Sequence, residues 1–198
     1  MMKKCCSILL LTVATMLLSG CIQAPLPPII HYTLNTPEVQ PAAHSPYKDL
    51  VLQVDYPQSL TLPAGERLYF SYSAMERGMY QNAYWATAVG RMLQAAIITS
   101  LERAKIFKAV LPYSSEADAN IRLESTIYDL SHHVRGKNSY AVLSIGFTLI
   151  DAERGTVIRT KRFSYKVATA TIDAKGYVEA MDQALSQMIR DLIFWLQK

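Results

Sequence analysis

Three stretches decide the fold: NIRLESTIYDL (120–130), YAVLSIGFTLI (140–150) and TVIRTKRFSYKVAT (156–169). Each is rich in β-branched and aromatic residues and alternates apolar with polar side chains, the pattern of a strand with one buried face. Between them stand Gly136-Lys137-Asn138 and Glu153-Arg154-Gly155, short turn-forming clusters that mark hairpins. The three segments therefore predict an antiparallel three-strand meander. In the last segment Val157, Arg159, Lys161 and Phe163 share one face, and Ile158, Thr160, Arg162 and Ser164 share the other. That strand should be half wet.

Outward from the meander the period changes. Downstream, Ala174 to Gln197 carries Val178, Met181, Leu185, Met188, Leu192 and Leu196 at three-and-four spacing, an amphipathic helix. Upstream, Phe107–Leu111 is a strand. Before it, Asn82 to Ala104 places Trp85, Val89, Met92, Leu93, Ala96, Ile97 and Leu101 on one helical stripe. Further upstream, strands are expected at Arg67–Ser73 and Leu50–Tyr56, the latter closed by Pro57, with the loop Leu60–Glu66 between them. This order lacks the alternation of a doubly wound parallel sheet. It predicts an α+β fold: a mostly antiparallel sheet with a three-strand meander, and two long amphipathic helices packed on one face.

The N-terminus reads differently. Lys3 and Lys4 precede the apolar run Ile8–Leu18, which meets Leu18-Ser19-Gly20-Cys21. The run is too short to span a bilayer, and small residues ahead of a cysteine suit a lipoprotein peptidase. Residues 1–20 are expected to be a signal peptide, and Cys21 the site of lipidation by a diacylglycerol and an N-acyl chain such as palmitate. Multiple acyl chains make such an anchor effectively permanent. Cys5 and Cys6 leave with the signal and the sulfur of Cys21 is consumed, so neither disulfides nor thiol chemistry are expected. Removal of 20 of the 198 residues leaves 178, one domain's worth, and loss of two lysines takes the formal charge from +4 to +2. Such a weak balance gives no reason to expect a nucleic-acid partner. Residues 21–47 hold Pro25, Pro27, Pro28, Pro37, Pro41 and Pro46, six of the nine prolines, and read as a tether reaching tens of ångströms, with one short strand at Ile30–Leu34. The single folded domain is expected over 48–198.

Motifs for chemistry are missing. The chain has no nucleophile elbow, no Gly-rich phosphate loop and no His-Glu-x-x-His, and Glu116 and Asp118 sit in a Ser/Ala-rich loop that reads as solvated. His132-His133 follows the strand 120–130 and is expected to be a solvent-facing hairpin end; neighbouring residues on a strand point to opposite faces, a poor start for a metal site. His31 and His44 should be solvated in the tether. No catalytic residue, metal or other cofactor is therefore expected. Arg159, Lys161, Arg162 and Lys166 read as an exposed basic strand. The segment from Tyr69 to Trp85 concentrates aromatic and thioether side chains in one loop before a helix, as interaction surfaces do, and Tyr72, Tyr80, Tyr84 and Trp85 are the candidate partner-binding residues.

Lipobox Cys21, Tyr32-Thr33-Leu34, a strand ending in Tyr56-Pro57 with Leu60, Arg67-Leu68-Tyr69-Phe70, Tyr84-Trp85-Ala86 and a closing helix with Ala184-Leu185 and Trp195-Leu196 together resemble the ABC-type transport auxiliary lipoprotein family, which includes the PqiC lipoprotein. Ser59-Leu60-Thr61 and Ala86-Thr87-Ala88 stand where that family often has an arginine and an acid-proline pair. The resemblance implies a non-catalytic accessory component of an MCE-type ABC lipid transport system, whose partners are an MCE-domain protein with its ABC permease and ATPase; self-association into a homo-oligomer is compatible with it. It places the protein in the cell envelope, facing the periplasm. Ile22 after the acylated cysteine, in place of aspartate, favours the outer membrane. Two other readings stand beside it: a lipoprotein that scaffolds cell-wall synthesis, and direct lipid carriage between sheet and helices.

Overall fold

The computed structural model describes residues 27–61 and 63–198. The expected signal segment and Cys21 lie outside the described residues. Within them, β1 (Ile30–Tyr32), β2 (Val51–Val54), β3 (Gln58–Ser59), β4 (Arg67–Ser71) and β5 (Arg77–Trp85) precede α1 (Val89–Ala104). Then come β6 (Ala109–Pro112), the long strands β7 (Ile121–Arg135), β8 (Asn138–Asp151) and β9 (Thr156–Ala168), and α2 (Ala174–Leu196).

The meander forms as expected. β8 pairs antiparallel with β7 from Asp151 opposite Ile121 to Asn138 opposite Arg135, and β9 pairs antiparallel with β8. Gly136 and Gly155 close the two hairpins at φ 61° and 66°, a conformation that glycine alone adopts without steric cost.

The other edge of β7 departs from the expectation of a mostly antiparallel sheet. It is filled end to end by three short strands, β2 on Ile121–Leu123, β3 on Thr126 and Ile127, and β4 on His132 and His133, all parallel. β6 joins β2 and β1 joins β5, again in parallel, while β4 and β5 form an antiparallel hairpin. The result is a mixed, open, nine-stranded sheet. β2, β3 and β4 are consecutive in the chain and follow β7 from its start toward its end, which makes each of them parallel to it.

One hydrophobic cluster joins a sheet face to both helices. β7 contributes Ile121, Leu123 and Ile127, then Leu130 and His132, and β8 contributes Ala141, Leu143, Ile145, Phe147 and Leu149. The switch from odd to even positions in β7 has a local cause. A register shift between Ile127 and Asp129 makes Tyr128 an extra residue, and such a bulge reverses which side chains face the core. On the helices, the stripes Val89–Leu101 and Val178–Leu196 are buried as read from the sequence. Trp85 is the exception. It belongs to β5, because Asn82–Trp85 continues a strand and the helix begins only at Val89.

The start of α1 is held from outside the helix. Ala88 offers no capping side chain; the carbonyls of Gly65 and Ala64 accept the Val89 and Gly90 amides at 3.0 and 3.2 Å. α2 carries its own cap, the Asp173 carboxylate accepting the Gly176 amide at 2.8 Å. That bond, ahead of the cost of burial, holds the Asp173 carboxyl below its usual range.

The proline-rich stretch up to residue 47 is not a free tether from Ile30 onward. Leu34 is buried in the core, and Val39, Ala42 and Tyr47 pack against it. The Asn35 amide donates to Asp182 of α2 at 2.7 Å, and the Ala42 amide donates to the Ala104 carbonyl of α1 at 2.7 Å. Proline content removes amide donors but leaves these contacts available, so an extended strap crosses the helices.

A prediction follows from α2. A Cβ on Gly176 would stand 2.4 Å from the Thr171 carbonyl oxygen and 2.8 Å from its nitrogen, both backbone atoms. Gly176→Ala should destabilise the protein by about 1–3 kcal/mol in urea unfolding, although alanine is the better helix former by roughly 1 kcal/mol. A stabilised variant would refute this packing.

Candidate partner-binding surfaces

Seen residue by residue, the four aromatic candidates do not form one surface. Trp85 is 0% exposed, packed against Tyr177 at 6.0 Å between ring centroids, so it is core and no partner can touch it. The strand that carries it, β5, replaces most of the loop expected within Tyr69–Trp85. Tyr84 is half-buried at the β1–β5 seam: Arg67 donates to its hydroxyl at 2.8 Å and His31 stacks on its ring at 5.8 Å. His31 is exposed, as expected, and lies on β1, within the short strand expected at Ile30–Leu34. Tyr72 alone is freely exposed, at 57%, in the β4–β5 turn beside Phe70.

Tyr80 points inward and organises a buried polar cluster. Its hydroxyl meets His132 Nδ1 at 2.6 Å. The His132 ring lies nearly parallel to Tyr80 on one side and to Tyr177 on the other, at 6.2 and 5.3 Å between centroids. His132 is fully buried, contrary to the solvent-facing hairpin end expected for it. Two features hid this from the sequence: β7 continues to Arg135, and the Tyr128 bulge turns even-numbered residues inward. His133 points the other way, as strand alternation requires, and pairs with Asp129 at 2.8 Å. Burial pushes the Asp129 carboxyl up, but hydrogen bonds from His133 and Ser131 and the charge of Arg77 outweigh it, and the net effect is to lower its pKa.

Burial also sets the protonation of the cluster. It raises the Tyr80 and Tyr177 hydroxyls well above their ordinary range. The Tyr80 hydroxyl therefore stays protonated and shares its hydrogen bond with Nδ1, and the other ring nitrogen is Nε2. That atom has no hydrogen-bond partner among the described residues, nor do the Tyr177 hydroxyl and Trp85 Nε1. For His132, burial and the neighbouring His133 outweigh the opposing charge of Asp173 and lower the pKa from 6.5 to about 4. A neutral imidazole is what this site holds.

The uncovered sheet face is polar. Arg122 reaches Asp55 at 3.2 Å and Glu124 at 2.7 Å beside a surface cleft of about 570 Å³. Burial raises the Asp55 carboxyl against the pull of Arg122. The basic strand β9 parks most of its charge on aromatic rings: Arg162 lies 3.7 Å over Tyr128 and Lys166 4.0 Å over Tyr140 on the outer face, and Arg159 lies 4.7 Å over Trp195 toward the helices. Among the described residues β9 pairs with β8 alone, so the far edge of this 13-residue strand has no strand partner there. Glu116 and Asp118 are exposed, and among the described residues no three His, Cys, Asp or Glu side chains are grouped to hold a metal. Among the described residues no helix is long and apolar enough to cross a membrane.

The cluster predicts acid sensitivity. The folded pKa of His132 lies below the unfolded one, so the unfolded chain binds the extra proton first. The contribution of the neutral imidazole is complete above about pH 6.5 and declines as pH falls toward about 4. In pH-dependent urea unfolding, His132→Phe should flatten the loss between these limits, while costing about 1–3 kcal/mol at neutral pH by orphaning the Tyr80 hydroxyl. Parallel pH profiles for the two proteins would contradict the assignment.

Comparison with known proteins places this geometry. The fold is similar to that of a Xanthomonas campestris protein of the DUF330 family, XCC0632, with a TM-score of 0.76 and 19% identity over 85% of this chain and 95% of that one. It is also similar to PelC of Paraburkholderia phytofirmans, a dodecamer, with a TM-score of 0.52 and 12% identity over 78% of this chain and 92% of that one. No curated protein sequence matches. The sequence model for the ABC-type transport auxiliary lipoprotein component matches residues 32–192, nearly all of the described chain. The chain belongs to the ABC-type transport auxiliary lipoprotein family.

Proposed function

We propose that this protein is a periplasm-facing accessory component of an MCE-type ABC lipid transport system, acylated at Cys21 in the outer membrane, and that it acts by docking to the MCE protein and not by catalysis. The observation that carries this reading is the family match over residues 32–192, joined to a rigid domain with a free strand edge. An unpaired edge can accept a partner strand through backbone hydrogen bonds, with little demand on sequence. A membrane anchor raises the effective concentration of that contact, so a modest direct affinity suffices. With the face toward the helices committed to the core, β9 is the long edge available.

Two observations weigh against direct lipid carriage. The space between sheet and helices is filled by Trp85, Tyr177, Phe147, Leu143 and Ile145, each under 2% exposed. The larger grooves open on the surface instead. PelC, which shares the fold, is a dodecamer, and side-by-side association of copies of this chain is part of the proposal.

The test is photo-crosslinking in envelopes from the acylated full chain, with the crosslinker at Thr160 on β9 or, as a control, at exposed Glu102 on α1. An MCE protein should be trapped from Thr160 and not from Glu102, and the yield should fall at least several-fold in Cys21→Ala. Adducts to cell-wall synthases alone would overturn the transport reading in favour of a cell-wall scaffold.

A further inference from the structure

Where the chain enters the fold says which end of the domain meets the membrane. β1 starts at Ile30 opposite Ala83 and runs parallel to β5. The residues before it, Pro27 and Pro28, line a groove of about 510 Å³ with Tyr80, Asn82 and Ala174. The chain upstream of Ile30 is thus directed toward the start of β5. From Cys21 to Ile30 is nine residue steps, which covalent geometry limits to about 30 Å, and Cys21 to Pro27 to about 20 Å. An anchor on Cys21 therefore lies within about 20 Å of Pro27 and the groove it lines.

The strand registers gather the same kind of surface there. Ser71 pairs with Arg77 and with His133, and Arg135 with Asn138, so the β4–β5 turn and the β7–β8 turn project at one end. Ala168 of β9 pairs with Tyr140 near that turn, and the link through Ile172 to α2 begins beside it. At this end Met75 is 94% exposed, and Tyr72, Met79 and Ile172 are each more than half exposed. Arg77, Arg135, Lys137 and Lys175 stand among them with Glu76, Asp129, Asp173 and Glu179, Lys175 paired with Glu179 at 3.9 Å. Exposed apolar side chains rimmed by charges of both signs suit the boundary between headgroups and acyl chains.

We propose that this end of the domain, the β4–β5 turn with Met79 and Ile172, is an interfacial contact that rests in the headgroup layer of the bilayer carrying the protein's own anchor. The proposal rests on acylation at Cys21. It turns α2 and β9 away from the membrane surface: Phe194 lies roughly 30 Å along α2 from the groove, and Val157 roughly 35 Å along β9 from Ala168. The β9 edge is left open to the periplasm, and Tyr72 becomes a lipid contact.

Single-cysteine variants test it, because the sulfur of Cys21 is occupied and Cys5 and Cys6 leave with the signal. Met75→Cys, Met79→Cys and Ile172→Cys, with Val157→Cys and Phe194→Cys as controls 60% and 58% exposed in the native protein, are labelled with an environment-sensitive dye. The acylated full chain is placed in vesicles of phosphatidylethanolamine and phosphatidylglycerol containing headgroup spin-labelled lipid. Quenching at the first three sites should exceed that at the two controls at least threefold. Equal quenching at all five, with mass spectrometry showing lipid on Cys21, overturns the contact and leaves the lipoprotein reading intact. A Cys21 peptide without lipid overturns both.

Discussion

A strand of 15 residues presents two long rows of backbone donors and acceptors, and burial makes every unpaired one costly. The rest of the fold answers that constraint on β7. β8 covers one row over its whole length. The other row is shared by β2, β3 and β4, each short, each parallel, consecutive in the chain and met in that order along β7. This division fixes the mixed topology. It also sets β5 and β1 on one side of the sheet and β6 on the other, and leaves the far edge of β9 without a strand partner among the described residues.

The bulge at Tyr128 is the second consequence. Without it, the alternation that buries Ile127 would also bury Asp129 and expose Leu130 and His132. With it, Asp129 and His133 meet on the polar face, and His132 enters the core between Tyr80 and Tyr177. That stack links β5, β7 and α2 through one imidazole, beside the helix start that Asp173 caps.

Local periodicity made much of this legible. The meander and the buried stripes of both helices follow from residues that repeat at two or at three and four. What remained hidden depends on distant partners. Nothing in Val51–Val54 or Gln58–Ser59 says that these strands run parallel to β7, and nothing in Ala88 announces that Gly65 and Ala64 cap α1. Trp85 carries the spacing of a helical stripe and ends a strand. Tyr80 and Tyr84 belong to an aromatic-rich segment that looks like a loop, yet one is held by His132 and the other by Arg67. The proline count of residues 21–47 suggests a tether, whereas Leu34 and Asn35 dock on the helices, a contact no local pattern records. Family resemblance captured the class of protein, because an order of small signatures survives where single residues change.

Orientation and docking make one physical account: an anchor near the groove that Pro27 lines, a packed core, and an open strand edge facing away from the membrane. Hydrogen exchange of the acylated protein in nanodiscs, with and without a purified MCE protein, tests it most directly. The account predicts that amides of β9 slow on addition of the MCE protein while those of β7 stay unchanged. Exchange in β9 that is the same at every concentration of the MCE protein would contradict it.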